Sequence, residues 1–374
     1  MREEEFDPSR DAQQWDDLPT ISLKNWFHGT QAEKREVAKA LYAAATSSGF
    51  FYLVDHGIDQ TLIDAVYGQS KHFHAQPEAY KDQYNINKSL IHRGWVSRAE
   101  TVGFETDGKI LNNYHEAFDM SFEVAVDDPR ASKGFGLIGA NVWPDLAGFQ
   151  ATVSTYYDAI YGLGRELMAG FELSLDLKPG TFLDHVTIPP SQLRLLKYFE
   201  NDEPIDELNV GIAAHSDYEC FTILNTSGPG LQLMSYEDHW VEAPPVAGAF
   251  VVNLGDCLEA WTGGLFKATQ HRVINLGKER YSLPLFFSVD FETEIKPLPE
   301  FSSQHSRARY PAFIAGEHLW GRTINTFPYL KRHYESGELV VNFEIPDENP
   351  FKRLSLEELT TPSDLSVNAP VPRL

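Results

Sequence analysis

The sequence predicts a mainly β protein with supporting α-helices, built as a single domain around a jelly-roll core. Two observations predict this class. Helical periodicity dominates the first half of the 374-residue chain, and short β-type runs separated by Gly, Pro, Asn and Asp dominate the second half. The chain is long for one domain, but barrels and large β folds often reach roughly 200–250 residues as one unit.

The first half is expected to supply helical support. Apolar residues at spacings of three and four indicate helices over 31–48 and 58–74, and a continuous apolar stripe from Phe149 to Phe171 indicates a long core helix. Residues 49–54 are aromatic and β-branched, which favours a buried strand. Between 80 and 145 the apolar runs are short, so this span is interpreted as loops and edge strands that shape a pocket entrance.

The second half is expected to form the core barrel. Its short β-type runs cover residues 193–199, 220–224, 231–234, 249–254, 272–276 and 281–289, and a last helical or irregular region covers 324–336. The single domain is therefore divided into a polar lead-in (1–17), a helical support and pocket-entrance region (18–180), a core barrel with the candidate site (190–300), and a C-terminal helix and tail (301–374).

Composition restricts the classes of partner. The chain carries 54 acidic and 31 basic side chains, a formal charge of -23, which repels phosphate backbones and anionic lipid surfaces. Its two cysteines cannot form a disulfide framework, its N-terminus lacks the apolar core of a signal peptide, and no stretch approaches the roughly 18 apolar residues of a membrane helix. We therefore expect a soluble cytoplasmic protein, monomeric or weakly homo-oligomeric, that binds a small molecule rather than nucleic acid or membrane.

Three residues form a candidate metal centre. His215 and Asp217 lie two residues apart, so a strand that begins near His215 would present both side chains on one face. His271 is the best third ligand, because a separation of 56 residues (271 minus 215) lets several strands return to one end of a barrel. Two imidazoles and one carboxylate leave three octahedral positions open and suit Fe(II), whereas tetrahedral zinc is a competing use of the same residue types.

A candidate anion site follows His271. Arg280 and Ser282 alternate onto one strand face and present a guanidinium and a hydroxyl together, which fits a carboxylate. The apolar run after them favours burial of Arg280 over a surface position, and a buried Arg requires an anion. The pair would lie beside the metal if the strands of His271 and Arg280 are neighbours through the turn at Gly277.

Motifs along most of the chain carry a family resemblance. They are His215-Ser216-Asp217, His271, Arg280-Tyr281-Ser282, Gly49-Phe50-Phe51 to Asp55-His56-Gly57, Asn141-Val142-Trp143-Pro144, Asn253-Leu254-Gly255-Asp256 and Trp261-Thr262-Gly263-Gly264. In this order and spacing the chain resembles the isopenicillin N synthase-like family of Fe(II)/2-oxoglutarate-dependent oxygenases. The matching segments span residues 18–330. In this family, the segment from Asn253 to Asp256 is chiefly a turn before a barrel strand.

The resemblance implies a double-stranded β-helix (jelly-roll) core with Fe(II) at one open end. It implies that Arg280 and Ser282 bind the distal carboxylate of 2-oxoglutarate and that Tyr198 also contacts this cosubstrate. Plant relatives carry an Asn where this chain has Leu196, so one cosubstrate contact differs here. The implied enzyme is a dioxygenase that consumes O2 and 2-oxoglutarate, releases succinate and CO2, and oxidises a substrate by hydroxylation, desaturation or ring closure. Ascorbate is the expected activator in vitro.

Five residues are candidates for substrate binding. Arg194 shares a strand face with the cosubstrate tyrosine by the period of two, and it could meet an acidic substrate or form a structural ion pair. Trp95, Arg98 and Glu100 lie in a segment that relatives use to line the substrate pocket, and Tyr218 follows the carboxylate ligand. A substrate of specialised metabolism is favoured, with a free nucleobase as the next choice.

Three alternative functions stay open from the residues alone. An oxidase of the same fold, such as isopenicillin N synthase, uses iron and O2 without 2-oxoglutarate and retains the Arg-x-Ser pair. A ligand-binding relative with a catalytically silent metal site is the second alternative, although a binding module has no need for three open coordination positions. A zinc hydrolase is the third.

Overall fold

A computed structural model describes residues 12–14, 18–106, 109–125, 127–129, 136–200, 209–235 and 239–346. Within them the α-helices are α1 (Lys24–His28), α2 (Gln31–Thr46), α3 (Gln60–His74), α4 (Glu78–Lys81), α5 (Phe149–Ser174), α6 (Asp256–Trp261), α7 (Gln304–Arg309), α8 (Ala315–Thr326) and α9 (Pro328–Glu335). The predicted lead-in, apart from residues 12–14, and the tail beyond residue 346 lie outside the described residues.

Two large sheets form the β part of the molecule. The strands are β1 (Ala12–Gln14), β2 (Thr20–Ser22), β3 (Phe50–Val54), β4 (Gly94–Val96), β5 (Val102–Thr106), β6 (Lys109–Asn113), β7 (His115–Ser121), β8 (Gln192–Tyr198), β9 (Asn209–His215), β10 (Phe221–Thr226), β11 (Leu231–Met234), β12 (Trp240–Glu242), β13 (Phe250–Leu254), β14 (His271–Ile274), β15 (Arg280–Phe287), β16 (Glu294–Ile295) and β17 (Phe313–Ile314). In the described residues they form a seven-stranded sheet (β1-β12-β11-β14-β9-β6-β5), an eight-stranded sheet (β2-β3-β13-β10-β15-β8-β7-β4) and the pair β16-β17. The predicted jelly-roll core with helical supports is confirmed.

The long helix α5 supports the eight-stranded sheet. Its buried stripe, predicted from the sequence, packs into the main hydrophobic core together with α2 and α3. A Cβ atom at Gly164 would lie 2.3 Å from the ring of Phe287, so glycine at this position permits close approach of α5 to β15. The helices thus cover one face of this sheet and leave the other face to line an interior cavity. No helix in the described part of the chain has the length and apolar character needed to cross a bilayer.

Strand β7 lies inside the sheet, although the span 80–145 was expected to hold loops and edge strands. It pairs with β8 on one side and β4 on the other, and all of its residues are buried. Its sequence includes Glu116 and Asp119, which hide the apolar signal of an interior strand. Tertiary partners compensate them: Glu116, for example, contacts His74 at 3.1 Å. The expectation was therefore wrong for β7 and correct for β4, which lies at the sheet edge in the described residues.

Strands β14 and β15 belong to different sheets. β14 pairs with β11 and β9, whereas β15 pairs with β10 and β8. The condition that they are neighbours through the turn at Gly277 is therefore not met. Gly277 has a φ of 74°, and the chain crosses from one sheet to the other around it. His271 and Arg280 consequently reach the same cavity from opposite sheets.

Candidate metal centre and adjoining cavity

His215, Asp217 and His271 converge at the end of β9. His215 is the last residue of β9, His271 is the first residue of β14, and the antiparallel register pairs them directly. The Nε2 atoms of the two imidazoles lie 3.5 and 3.6 Å from Oδ1 of Asp217, and all three ligand atoms lie within 4.8 Å of one another. The strand ends at His215 instead of beginning there, so the turn after β9, and not strand alternation, brings Asp217 to the site.

Backbone carbonyls orient both imidazoles. Nδ1 of His215 lies 2.7 Å from the carbonyl oxygen of Ala213, and Nδ1 of His271 lies 3.1 Å from that of Thr269. Because a carbonyl oxygen only accepts, each Nδ1 donates, which leaves the Nε2 lone pair free for a metal. Each histidine is thus held by the carbonyl two residues before it, a local arrangement that fixes the ring and its tautomer.

The second oxygen of Asp217 is held by two neighbouring strands. Thr222 of β10 donates its hydroxyl to Oδ2, and Asn253 of β13 donates its Nδ2 at 2.6 Å. The family resemblance implied that the Asn253 segment is chiefly a turn, but Asn253 lies within β13 and supports the carboxylate directly. Outer groups of this kind set the orientation and basicity of a metal ligand. Oδ1 is consequently the oxygen presented toward the imidazoles.

The pKa shifts of Asp217 and His271 favour binding of a cation. Burial raises the pKa of Asp217, but the nearby His271 and His215 and the hydroxyl of Thr222 outweigh burial and hold this pKa well below its usual range. Burial lowers the pKa of His271 to about 4, so its ring is neutral at pH 7. Burial also acts against the charged form of His215, but Asp217 raises the net pKa of that ring. The cluster therefore offers one carboxylate charge and imidazole nitrogens, a donor set that fits Fe(II).

The candidate ligands open into a cavity of about 340 Å³. Its walls come from both sheets and from helix α8, and most of them are apolar. The apolar lining includes Leu137, Pro190, Leu196, Ile212, Leu224, Leu231, Val273, Pro284, Phe286, Leu319 and Phe327. This volume is at the lower end of small-molecule pockets. A compact organic substrate with few polar groups suits it best.

Arg280 and Ser282, two residues apart in β15, line the same cavity. The Arg280 side chain is 6% exposed, its Nε donates to the carbonyl of Gly228 at 3.0 Å, and its guanidinium lies 4.6 Å from the ring centre of Tyr198. Its Nη1 and Nη2, together with Oγ of Ser282, are buried without a hydrogen-bond partner among the described residues. Buried donors in this state are costly unless a ligand accepts from them. A carboxylate satisfies all three.

Arg194 lines the cavity but is already paired. Its Nε and Nη2 donate to the two oxygens of Asp119 at 2.7 and 2.6 Å. Asp119 is fully buried and also lies 3.2 Å from Nε2 of His92, whose Nδ1 lies 2.7 Å from the hydroxyl of Tyr329 in α9. The sequence left two interpretations of Arg194 open, a contact with an acidic substrate and a structural ion pair. The structure shows the ion pair. A contact with substrate would have to use its remaining nitrogen, Nη1.

Glu100 and Tyr218 also line the cavity. Oε1 of Glu100 accepts from Asn87 at 3.1 Å and from Arg332 of α9 at 3.0 Å, while its Oε2 is buried without a partner in the described residues. The Tyr218 ring packs edge-on against His318 of α8 at 5.9 Å, and burial raises the pKa of its hydroxyl. Both residues therefore hold the C-terminal helices against the cavity as well as lining it.

Trp95 and Arg98 are not among the described residues that line the cavity. The indole of Trp95 is 3% exposed and donates to Oε2 of Glu116 at 2.9 Å, so the ring belongs to the core of the sheet. The guanidinium of Arg98 is exposed and stacks on the rings of Tyr114 and Phe199 at 4.6 and 5.7 Å. These positions give no support to their expected contact with substrate.

Two cavity residues with an unpaired buried donor were not among the candidates that the sequence indicated. Arg93, just before β4, and Gln192, the first residue of β8, both line the cavity and have a buried donor without a partner in the described residues. Gln192 shares the strand face of Arg194 by the period of two, and that signal could have found it. Arg93 had no such signal, because a loop and not a strand face carries it to the cavity.

Two family models match the chain. Residues 18–146 match the N-terminal region of the non-haem dioxygenase in morphine synthesis, and residues 190–289 match the 2OG-Fe(II) oxygenase superfamily. The second match contains the candidate metal ligands and the Arg-x-Ser pair.

Relatives match over most of their length. A probable iron/ascorbate oxidoreductase of Dictyostelium discoideum is 31% identical, with 84% of this chain and 96% of that protein covered. A homoarginine-6-hydroxylase of Glycine max is 31% identical, with 78% and 89% covered. The crystal structure of a 2OG-Fe(II) oxygenase family protein from Caulobacter crescentus is 28% identical with a TM-score of 0.70, and 82% of this chain and 98% of that one are covered.

Proposed function

This chain belongs to the isopenicillin N synthase-like family of Fe(II)/2-oxoglutarate-dependent oxygenases, and from that premise we propose that His215, Asp217 and His271 hold its Fe(II). The chain is a 2-oxoglutarate-dependent dioxygenase that acts on a small molecule. A reaction in specialised metabolism, by hydroxylation, desaturation or ring closure, is the function that we propose for it.

One observation carries the assignment of the cosubstrate. A three-ligand metal cluster and a buried Arg280 with two unbonded nitrogens share one cavity, and Oγ of Ser282 adds a third unbonded group. A zinc hydrolase or a binding module has no need for a buried guanidinium with unbonded nitrogens in the same cavity as the metal cluster. A dicarboxylate that reaches from the metal to Arg280 gives both features a role.

The protein residues act by binding and orienting. The bound Fe(II) and 2-oxoglutarate supply oxidation by O2 coupled to decarboxylation of the cosubstrate. Thr222 and Asn253 hold Asp217 in one orientation, and Arg280 and Ser282 hold the distal carboxylate of 2-oxoglutarate. Tyr198 packs beneath the Arg280 guanidinium and limits its movement. The apolar cavity walls exclude water and keep the substrate C–H bond near the metal.

The direct test is the visible charge-transfer band that Fe(II) and 2-oxoglutarate give together without O2. We expect the wild-type protein to show this band and His215→Ala to lose it. His239→Ala is the matched control, because His239 is exposed and outside the cavity lining, and it should keep the band. A band that survives in His215→Ala contradicts the ligand assignment.

Turnover separates the competing functions. With Fe(II), ascorbate, O2 and labelled 2-oxoglutarate, turnover of an accepted substrate should convert one 2-oxoglutarate to succinate for each product molecule. Product formed without succinate indicates an oxidase of the isopenicillin N synthase type. Activity supported by Zn(II) but not by Fe(II) indicates a hydrolase, and either result overturns the proposal.

A further inference from the structure

Arg93 is a buried cation in the wall of the cavity. Its side chain is 1% exposed, Nη1 donates to the carbonyls of Ile91 and His92 at 2.9 and 3.0 Å, and Nη2 donates to that of Leu137. Its Nε is buried without a hydrogen-bond partner, and no ion pair joins Arg93 in the described part of the chain. Carbonyl oxygens thus hold the guanidinium in place without neutralising its charge.

The other guanidinium groups of the cavity have anionic partners. Of the described residues, Arg93, Arg194 and Arg280 bring a guanidinium to the lining. Arg194 is paired with Asp119, and Arg280 is assigned to the distal carboxylate of 2-oxoglutarate. Arg93 is therefore left with a positive charge that no described carboxylate contacts directly. Burial lowers the pKa of Arg93 to about 10, so the group is still cationic at neutral pH.

Gln192 adds a second unpaired donor to this wall. Its Nε2 is buried and has no partner among the described residues. The strand register pairs Gly94 of β4 with Asp119 of β7, and Asp119 with Arg194 of β8. Arg93, one residue before Gly94, and Gln192, two residues before Arg194, therefore flank β7 from its two sides in one part of the sheet.

We infer that the substrate of this oxygenase carries a carboxylate and that Arg93 and Gln192 bind it, an inference that rests on the proposed function. A carboxylate offers acceptors to both unpaired N–H groups and one negative charge to the unpaired guanidinium. The neighbouring lining of Leu137, Pro190 and Phe327 suits the carbon skeleton of such a substrate. Arg93 and Gln192 are specificity-determining residues for this anion, and they do not touch the reacting atoms.

The test uses matched pairs of small molecules that differ only in charge. The probes are indole-3-acetate with indole-3-acetamide, cyclohexylacetate with cyclohexylacetamide, and 4-phenylbutyrate with 4-phenylbutyramide. Dissociation constants are measured by anaerobic calorimetry on the wild-type protein loaded with Fe(II) and saturating 2-oxoglutarate, which occupies the Arg280 site. We expect at least one carboxylate to bind about tenfold or more tightly than its amide.

Gln192→Glu is the decisive variant, because it places a negative charge at the proposed site with almost no change in volume. It should raise the dissociation constant of the tightest-binding carboxylate about tenfold or more and leave that of the matching amide nearly unchanged. Gln31→Glu makes the same chemical change at an exposed position in the first turn of α2 and should leave both constants unaltered. Arg93→Lys keeps the charge but loses Nε–H, so it should weaken binding of the carboxylate more than binding of the amide. Thermal unfolding first checks that this variant is folded.

The possible failures can be told apart. If the wild-type protein gives no charge-transfer band with Fe(II) and 2-oxoglutarate, the proposed function itself fails. If the band forms but amides bind as tightly as carboxylates, or no carboxylate binds, only the inference about the substrate is overturned. Equal weakening of acid and amide in Gln192→Glu also overturns it, because that result indicates a steric effect. Should Arg93→Lys unfold, Gln192→Glu alone decides.

Discussion

Compared with the substrate end of the cavity, the metal and cosubstrate end is assembled from very short stretches of sequence. His215 and Asp217 are two residues apart, as are Arg280 and Ser282, and of these five residues His271 alone has no partner two positions away. Each imidazole is even oriented locally, by the carbonyl two residues before it. Because these residues are close together in the chain, their patterns can be recognised as motifs in the sequence.

The substrate end is assembled from many distant segments. Arg93 comes from a loop, Glu100 from the segment after β4, Gln192 from β8, and Phe327 from the junction of α8 and α9. Some charges here are paired with residues far apart in sequence, such as Glu100 with Arg332 and Asp119 with Arg194. The chemistry of this enzyme is thus encoded locally, whereas its specificity is encoded by packing. Substitutions at the two ends should therefore differ in what they disturb, and they are taken in order of decreasing effect.

Substitution of one candidate metal ligand should nearly abolish succinate release. Asp217→Asn removes the only carboxylate charge of the cluster, so succinate release should fall by more than the roughly 100-fold that changes in outer groups of metal sites cause. Asp184→Asn, at an exposed position outside the cavity lining, should leave the rate unchanged. Retention of more than a tenth of the wild-type rate in Asp217→Asn is the result that refutes a ligand role.

A substitution in the buried ion pair at the substrate end should mainly lower the free energy of unfolding. Asp119→Asn leaves Arg194, whose side chain is only 13% exposed, without its anionic partner, and we expect a loss of about 3–5 kcal/mol in the free energy of unfolding at pH 7. The exposed Asp82→Asn should change it by less than about 1 kcal/mol. Urea denaturation of the three proteins measures both values.

The Asp119 effect should also depend on pH with a defined sign. Burial raises the pKa of Asp119, but Arg194 outweighs burial and holds this pKa below the usual 3.8. A depressed pKa in the folded state stabilises the protein above pH 3.8, and this contribution is lost as the pH falls toward the folded value. The stability difference between wild type and Asp119→Asn should therefore shrink below pH 3.8. A difference that grows on acidification contradicts the ion pair.

The cosubstrate site should lose affinity without losing the metal. Arg280→Leu removes the proposed charge-assisted bonds to 2-oxoglutarate and should raise the dissociation constant of 2-oxoglutarate about 100-fold, which corresponds to roughly 3 kcal/mol. Arg280→Lys retains the charge without the fork and should lose less. Anaerobic titration of the charge-transfer band measures both variants. Equal 2-oxoglutarate affinity in wild type and Arg280→Leu refutes the assignment.

The smallest effect is expected for the groups that support Asp217. Thr222→Val preserves shape but removes the hydroxyl that donates to Oδ2, and Fe(II) affinity should fall roughly 10–100-fold. Thr155→Val, on the exposed side of α5, is the matched control and should leave Fe(II) affinity unaltered. If Thr222→Val binds Fe(II) as wild type does, the carboxylate is positioned by Asn253 alone.

Strand positions in the second half could largely be predicted, because their apolar runs and turn residues are local signals. Strands β8, β10, β11, β13, β14 and β15 all lie within a few residues of the predicted runs. Strand β7 could not be predicted, because its buried Glu116 and Asp119 are acceptable only beside Lys81 and Arg194. Such compensation connects residues far apart in the chain and leaves no periodic pattern.

The candidate metal ligands and the Arg-x-Ser pair could be identified from the amino-acid order alone, since residues close together in the chain carry most of that chemistry. Three further features needed the folded molecule: β9 ends at His215, His271 and Arg280 belong to opposite sheets, and Arg93 enters the cavity wall. Ligand spacing is a local property of the backbone, and it is therefore visible in a linear sequence. Sheet membership and the balance of buried charge depend instead on which distant segments pack together.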